Sequence, residues 1–240
     1  MAPRRISRCC TARPDARGAA AADLDGRTVR RARRTDPAIV AFADLESPDA
    51  GQALRAQKAF ARVRGIRQVL NWHHDPRLSR APTDHLASRT WRRNFALLGE
   101  MGLSFDAQVY PFQLCRLAEL ASGTGTPVVL DHCGLPAADL SDRDVWRAGI
   151  RELARVPHIH AKISGFGMTD GAVDRAGAAD RIAELIDTFG TDRGSNFPVD
   201  RLRFTYAGLW EFFAGVLKDY PVAEQQTMLS GNARRFYRLT

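Results

Sequence analysis

Thr126-Pro127-Val128-Val129-Leu130-Asp131-His132-Cys133-Gly134 is the stretch that decides the fold. Its first five residues carry no charge, and the run ends abruptly in Asp131 and His132. A strand this apolar is buried on both faces, which points to a parallel sheet covered by helices. The polar residues at its C-terminal end point further, to a parallel barrel, whose strand ends share one rim and carry the chemistry.

The same pattern repeats on either side. Toward the N-terminus, Leu103 to Tyr110 alternates as a strand and Phe112 to Ala121 follows as a helix. Gly65 to Asn71 is another strand, and Thr90 to Met101 is a helix stopped by Gly102. Ala38 to Ala43 is a short apolar strand ended by Asp44. Ser47-Pro48 then supplies an N-cap and a first helical proline for a helix reaching about Arg62. Toward the C-terminus, Ser141 caps a helix to about Arg155, Ile159 to Ser164 is a fifth strand, and 172–189 is helical. Apolar strands alternating with helices, without hairpin signals, give an α/β fold. No glycine-rich phosphate loop follows a first strand, so a barrel is expected over a doubly wound sheet.

Composition narrows the function classes. The 240 residues are 45% hydrophobic, enough for a full core, and no apolar run approaches the roughly 18 residues of a membrane span. The four cysteines form no CxxC pair, so neither a disulfide framework nor a zinc ribbon is expected, and a cytoplasmic setting is. Of the net charge of +8, residues 1–36 carry +6, with ten arginines and four aspartates. That segment has almost no large apolar residue to bury and is expected to be disordered. Targeting and nucleic-acid binding are its rival uses, the latter the weakest. The expected organisation is a disordered basic segment, 1–36, followed by a partial barrel domain, 37–240.

Six segments in order, RGIRQVLNWH, LSFDAQVYPFQL, VVLDHCG, HAKISGFG, GSNFPVD and GNARRFYRL, resemble the strand-end motifs of amidohydrolase-related (β/α)8 hydrolases. The resemblance covers roughly residues 38–240 and is nearest the branch holding sugar-lactone and pyrone-lactone hydrolases. It implies a TIM-barrel hydrolase acting on a small molecule.

The candidate site follows from the strand ends. His132 closes an apolar strand before a glycine, so its imidazole should reach the rim. The resemblance makes it a metal ligand or a substrate-polarising group. Arg67 and Lys162 are cations at strand ends, where an anion is the natural partner: a substrate carboxylate for the Arg67 fork, a developing oxyanion for Lys162. Lys162 stands out because the chain has three lysines against 32 arginines. Gln108 and Tyr110 share one side of their strand and are read as substrate hydrogen-bonders. The resemblance adds His73 of the Asn-Trp-His motif as a substrate contact. Asp131 should face away from His132 and is given a structural role. His85, His158 and His160 have no rim placement.

Two features depart from the family pattern. Asn196 stands where most relatives have an aspartate that binds metal and takes the proton of the attacking water, and an amide has no such basicity. Residues 1–36 contain no histidine, so the family's opening strand with its His-x-His pair is not found there. The stretch TDRGSN lacks the apolar body of the last strand. The expected fold is therefore a (β/α)8 barrel that is incomplete, with the first two strands missing and the last shortened. A divalent metal, zinc by resemblance, stays open for the same reasons. The leading function is the opening of a sugar-acid or pyrone-type lactone by water. A decarboxylase of the same superfamily and an inactive fragment are the alternatives, and a homo-oligomer stays open.

Overall fold

The computed structural model describes residues 38–136, 143–166, 174–192, 194–195 and 205–239. The basic segment 1–36, the Ser141 cap and Asn196 therefore lie outside the described residues. Six strands form one parallel sheet: β1 (Ile39–Phe42), β2 (Val63–Val69), β3 (Ser104–Gln108), β4 (Val128–Leu130), β5 (Ile159–Lys162) and β6 (Gly194–Ser195). They lie side by side in chain order, each paired in parallel with the next. A doubly wound sheet reverses its strand order at a switch point. This one does not, as a barrel requires.

Helices fill the connections: α1 (Ala50–Lys58), α2 (Arg89–Glu100), α3 (Leu114–Thr124), α4 (Arg143–Ala154) and α5 (Arg175–Phe189). The C-terminal part is helical too, with α6 (Tyr206–Leu217), α7 (Val222–Gln226), a π turn over Thr227–Gly231 and α8 (Asn232–Phe236). No helix among the described residues is long and apolar enough to cross a membrane.

Alternation along the strands sorts the two faces of the sheet. Ile66, Phe105, Ala107, Val128, Leu130, Ile159 and Ala161 are buried in one core with the apolar stripes of the helices. Trp91 and Phe95 of α2 meet Phe105 there, with ring centroids 5.2–5.6 Å apart. Gln68 shares this apolar side, and its amide is satisfied: Oε1 accepts from Trp91 Nε1 at 2.8 Å and from the Leu45 backbone at 3.2 Å. The opposite, inner face carries Arg67, Asp106, Gln108 and Lys162. A charged row on one face and an unbroken core on the other is what directs chemistry inward.

Local boundaries differ from expectation where turn chemistry outweighs propensity. The first helix starts at Ala50 and stops at Lys58, not Arg62. Ser47 does not cap it but closes a turn, its Oγ accepting from Asp49 N. Phe112 falls in a one-turn 3-10 segment, Pro111–Gln113, ahead of α3. The central strand ends at Leu130, and His132 already lies in the turn beyond it.

Candidate active site

Strand pairing lines up the inner-face residues. Arg67 of β2 stands opposite Asp106 of β3, and Asp106 opposite Val129 of β4. Asp131, two residues past Val129, keeps its side. Four charged side chains consequently meet. Lys162 Nζ donates to Asp131 Oδ1 at 2.8 Å and to Asp106 Oδ2 at 2.5 Å. Arg67 reaches Asp131 Oδ2 at 3.2 Å and donates to Gln108 Oε1 at 2.5 Å. From the C-terminal end of the chain, Tyr237 donates its hydroxyl to both Asp106 oxygens, at 3.0 and 2.9 Å.

Burial and charge set the ionisation of this cluster. Asp131 is fully buried, which pushes its carboxyl up, but Lys162, Arg67 and His132 together hold it below the ordinary carboxylate range. Asp106 is also buried, and there desolvation wins: its carboxyl sits above the usual value despite Lys162 and the Tyr237 hydrogen bond. Burial lowers Lys162, yet the two carboxylates outweigh it and keep the ammonium protonated. The phenol of Tyr237 is pushed up by burial and by Asp106, so it remains a donor.

His132 and its neighbours form a strained turn next to this cluster. His132, Cys133 and Leu135 all have positive φ, at 55°, 53° and 49°. Such backbone costs energy and persists only when surroundings fix it. Trp146 of α4 does so by donating Nε1 to Cys133 O at 2.7 Å. His132 is buried, its Nδ1 hydrogen-bonded to Ser164 Oγ at 3.0 Å. Gly165 follows at φ 89°, and a Cβ there would lie 2.6 Å from the Cβ of His132. Gly165→Ala is expected to destabilise the fold by about 1–3 kcal/mol and to displace His132 from Ser164. Thermal unfolding of the purified variant checks the first effect.

The other candidate residues are placed as follows. His73 is buried in the loop after β2, with Nδ1 accepting from Asp75 N at 2.9 Å. It packs edge-on against Tyr110 and Phe112, 6.1 and 5.8 Å away. Tyr110 donates its hydroxyl to Leu78 O, which ties down the loop after β2. Gln108 serves the Arg67 fork. The structure thus joins Arg67, Gln108 and Lys162 in one cluster with Asp131 and Asp106, and sets His73 and Tyr110 in an aromatic group. Asn196 lies outside the described residues.

Arg67 and Lys162 each meet an internal anion as well: Asp131 pairs with both, and Asp106 with Lys162. Asp131 faces the cations, against the orientation expected of it: it keeps the side of Val129, while the strand stops at Leu130, two residues short of His132. Sequence reasoning also passed over Asp106, Ser164 and Tyr237.

The one His-x-His spelling in the chain, His158-Ile159-His160, is at the start of β5. There His158 Nε2 bonds Ala121 O at 3.0 Å, and His160 packs edge-on against Phe236 at 4.9 Å. Among the described residues, no three His, Cys, Asp or Glu side chains are grouped to hold a metal. The two buried carboxylates are occupied by cations. Among the described residues, this donor set does not fit a metal centre.

An amidohydrolase family model matches residues 11–239. The chain belongs to the amidohydrolase family. This amidohydrolase is accordingly a hydrolase enzyme of the barrel type. It is 34% identical over 213 residues to the uncharacterized protein y4mH of Sinorhizobium fredii, spanning 84% of this chain and 69% of that protein. It is 30% identical over 220 residues to an L-fucono-1,5-lactonase of Burkholderia ambifaria, spanning 84% and 70%. Among solved structures, an amidohydrolase from Burkholderia multivorans with bound zinc superposes with a TM-score of 0.71. The two are 25% identical, over 85% of this chain and 74% of that one. A 2-pyrone-4,6-dicarboxylic acid hydrolase from Pseudomonas putida, described as putative, shares the fold with a TM-score of 0.62 at 20% identity, over 78% and 67%.

Proposed function

We propose that this amidohydrolase opens a sugar-acid lactone by attack of water on the ring carbonyl. One observation carries the proposal: two cations, Arg67 and Lys162, share the buried carboxylate of Asp131 at the C-terminal ends of the strands. An ammonium has three N–H donors. Asp106 and Asp131 accept two from Lys162, and the third is left for the carbonyl oxygen of the substrate. As water adds, negative charge develops on that oxygen, and a cation fixed in a dry site stabilises it without reorganising.

Arg67 complements this role. Its side chain is 35% exposed, and a single terminal nitrogen serves both Gln108 and Asp131. Its remaining N–H groups are donors for a substrate carboxylate or ring oxygens. His132, oriented by Ser164, polarises the carbonyl beside Lys162. Collapse of the intermediate breaks the bond between carbonyl carbon and ring oxygen. The ring oxygen leaves as a hydroxyl, and the new carboxyl group releases a proton near neutral pH. Similarity to the L-fucono-1,5-lactonases supports the choice of a sugar-acid lactone over a pyrone.

A panel of aldonolactones in weak buffer with a pH indicator tests the proposal. Acid release that saturates with one or more of them is expected. Carbon dioxide released from hydroxybenzoates, with every lactone untouched, would replace this proposal by decarboxylation.

A further inference from the structure

We infer that Tyr237, three residues from the end of the chain, is a positioning residue for the proposed lactone opening: through Asp106 it fixes where the Lys162 ammonium stands. The inference rests on the proposed reaction for its kinetic consequence but not for its geometry.

The tail arrives at the inner face by a set of anchors. Asn232 at the start of α8 donates to Thr191 O at 2.9 Å. Phe236 packs edge-on against His160, which shares the inner side of β5 with Lys162. Arg238 turns back at φ 53° and donates to Gly102 O at 3.1 Å and Arg64 O at 3.4 Å, near the starts of β3 and β2. Between these anchors Tyr237 faces the sheet.

Tyr237 acts on Lys162 twice. Its hydroxyl holds both oxygens of Asp106, whose side chain is 3% exposed and whose other partner is Lys162. Its ring also stands 5.7 Å from Lys162 Nζ, within cation–π reach. A lysine stem has four rotatable carbons and no preferred fork. Its third N–H meets a carbonyl oxygen only if the other two are held by acceptors that do not rotate. Asp131 is restrained by Arg67; Asp106 has Tyr237 for the same purpose. Among the described residues the Tyr237 hydroxyl bonds Asp106, so it acts through Asp106 and Lys162.

Lysine-labelled NMR tests this directly, because the chain has three lysines, Lys58, Lys162 and Lys218. Lys162→Arg assigns the signal. In the wild-type chain, the two Hε protons of Lys162 should be inequivalent and show a nuclear Overhauser effect to the Tyr237 ring. Absence of both would overturn the inference with no variant needed. In Tyr237→Phe, which keeps the ring, the Hε pair should collapse toward the averaged shifts of Lys58 and Lys218. The kcat for a hydrolysed lactone should fall about 10- to 100-fold with KM within about twofold. Phe236→Leu, which loosens the tail without touching the bond, should leave the Lys162 signals unchanged. Unchanged Lys162 signals in Tyr237→Phe, or equal changes in both variants, would make the tail a plug and nothing more. A wild-type chain that opens no lactone would defeat the proposed reaction, while the NMR results would still decide the placement of Lys162.

Discussion

Lys162→Met is expected to abolish lactone opening and to be the most destabilising single change in the inner face. Methionine matches the length of the stem but leaves Asp106 and Asp131 buried without their shared cation. Removing one partner of a buried ion pair costs about 3–5 kcal/mol, since the remaining charge is uncompensated. Urea unfolding at neutral pH measures that loss. Turnover should fall by at least about 100- to 1,000-fold, the range for removing a group that stabilises an oxyanion.

The pH profile gives the prediction a second signature. In the folded chain the Lys162 ammonium titrates above its ordinary value of 10.5. Its contribution to stability is therefore complete below that value and is lost as pH rises through the raised one. Wild-type stability should show this alkaline loss, and Lys162→Met should lack it. A methionine variant as stable as wild type would mean that the two carboxylates are neutral in the fold.

Asp131→Asn is the second large effect. The amide is the same size, yet it removes the one charge that Arg67 and Lys162 share, and its NH2 group would face a cation with a donor. A loss of about 3 kcal/mol is expected, with kcat/KM down about 100-fold or more because both cations lose their anchor. Thermal unfolding and steady-state kinetics on the same preparation check it. A change within about 0.5 kcal/mol, ordinary for a surface position, would show that Asp131 does not organise the cations.

These two residues also show what the sequence could and could not reveal. The strands were legible by two signals: an apolar run closed by polar residues, as in Val128-Val129-Leu130, and alternation, as in Ser104 to Gln108. Lys162 was legible through its rarity in an arginine-rich chain. The orientation of Asp131 was misread because the strand was carried two residues too far, to His132. Alternation was carried on to His132, but the chain leaves the sheet after Leu130 and turns through positive φ at His132 and Cys133. Gly134 signalled a turn without saying where it began.

Asp106 left a signal that was not used: a carboxylate in the middle of Ser104-Phe105-Asp106-Ala107-Gln108, sharing its side with Gln108. A charge inside a buried strand needs a partner. Tyr237 left none, because no local pattern foretells a hydrogen bond to a residue 131 positions earlier. Buried Gln68 and His85 make a further polar group on the helix side of β2 with the more exposed Asp44 and Glu46, His85 Nδ1 standing 3.0 Å from Glu46 Oε2. It was invisible for the same reason, since its members come from three separate segments.

The docking of Tyr237 and Arg238 onto β2 and β3 also bears on how the protein is made. Strands β1 to β5 and their helices leave the ribosome in order and can pair with neighbours as they appear. The inner face cannot be finished in that way, because Asp106 waits for a phenol 131 residues further along the chain. A nascent chain would hold a formed sheet in which Asp106 and Lys162 lack that partner until Tyr237 has emerged and docked. The surroundings of Lys162 would then be completed last, after the strands that carry the cluster have paired.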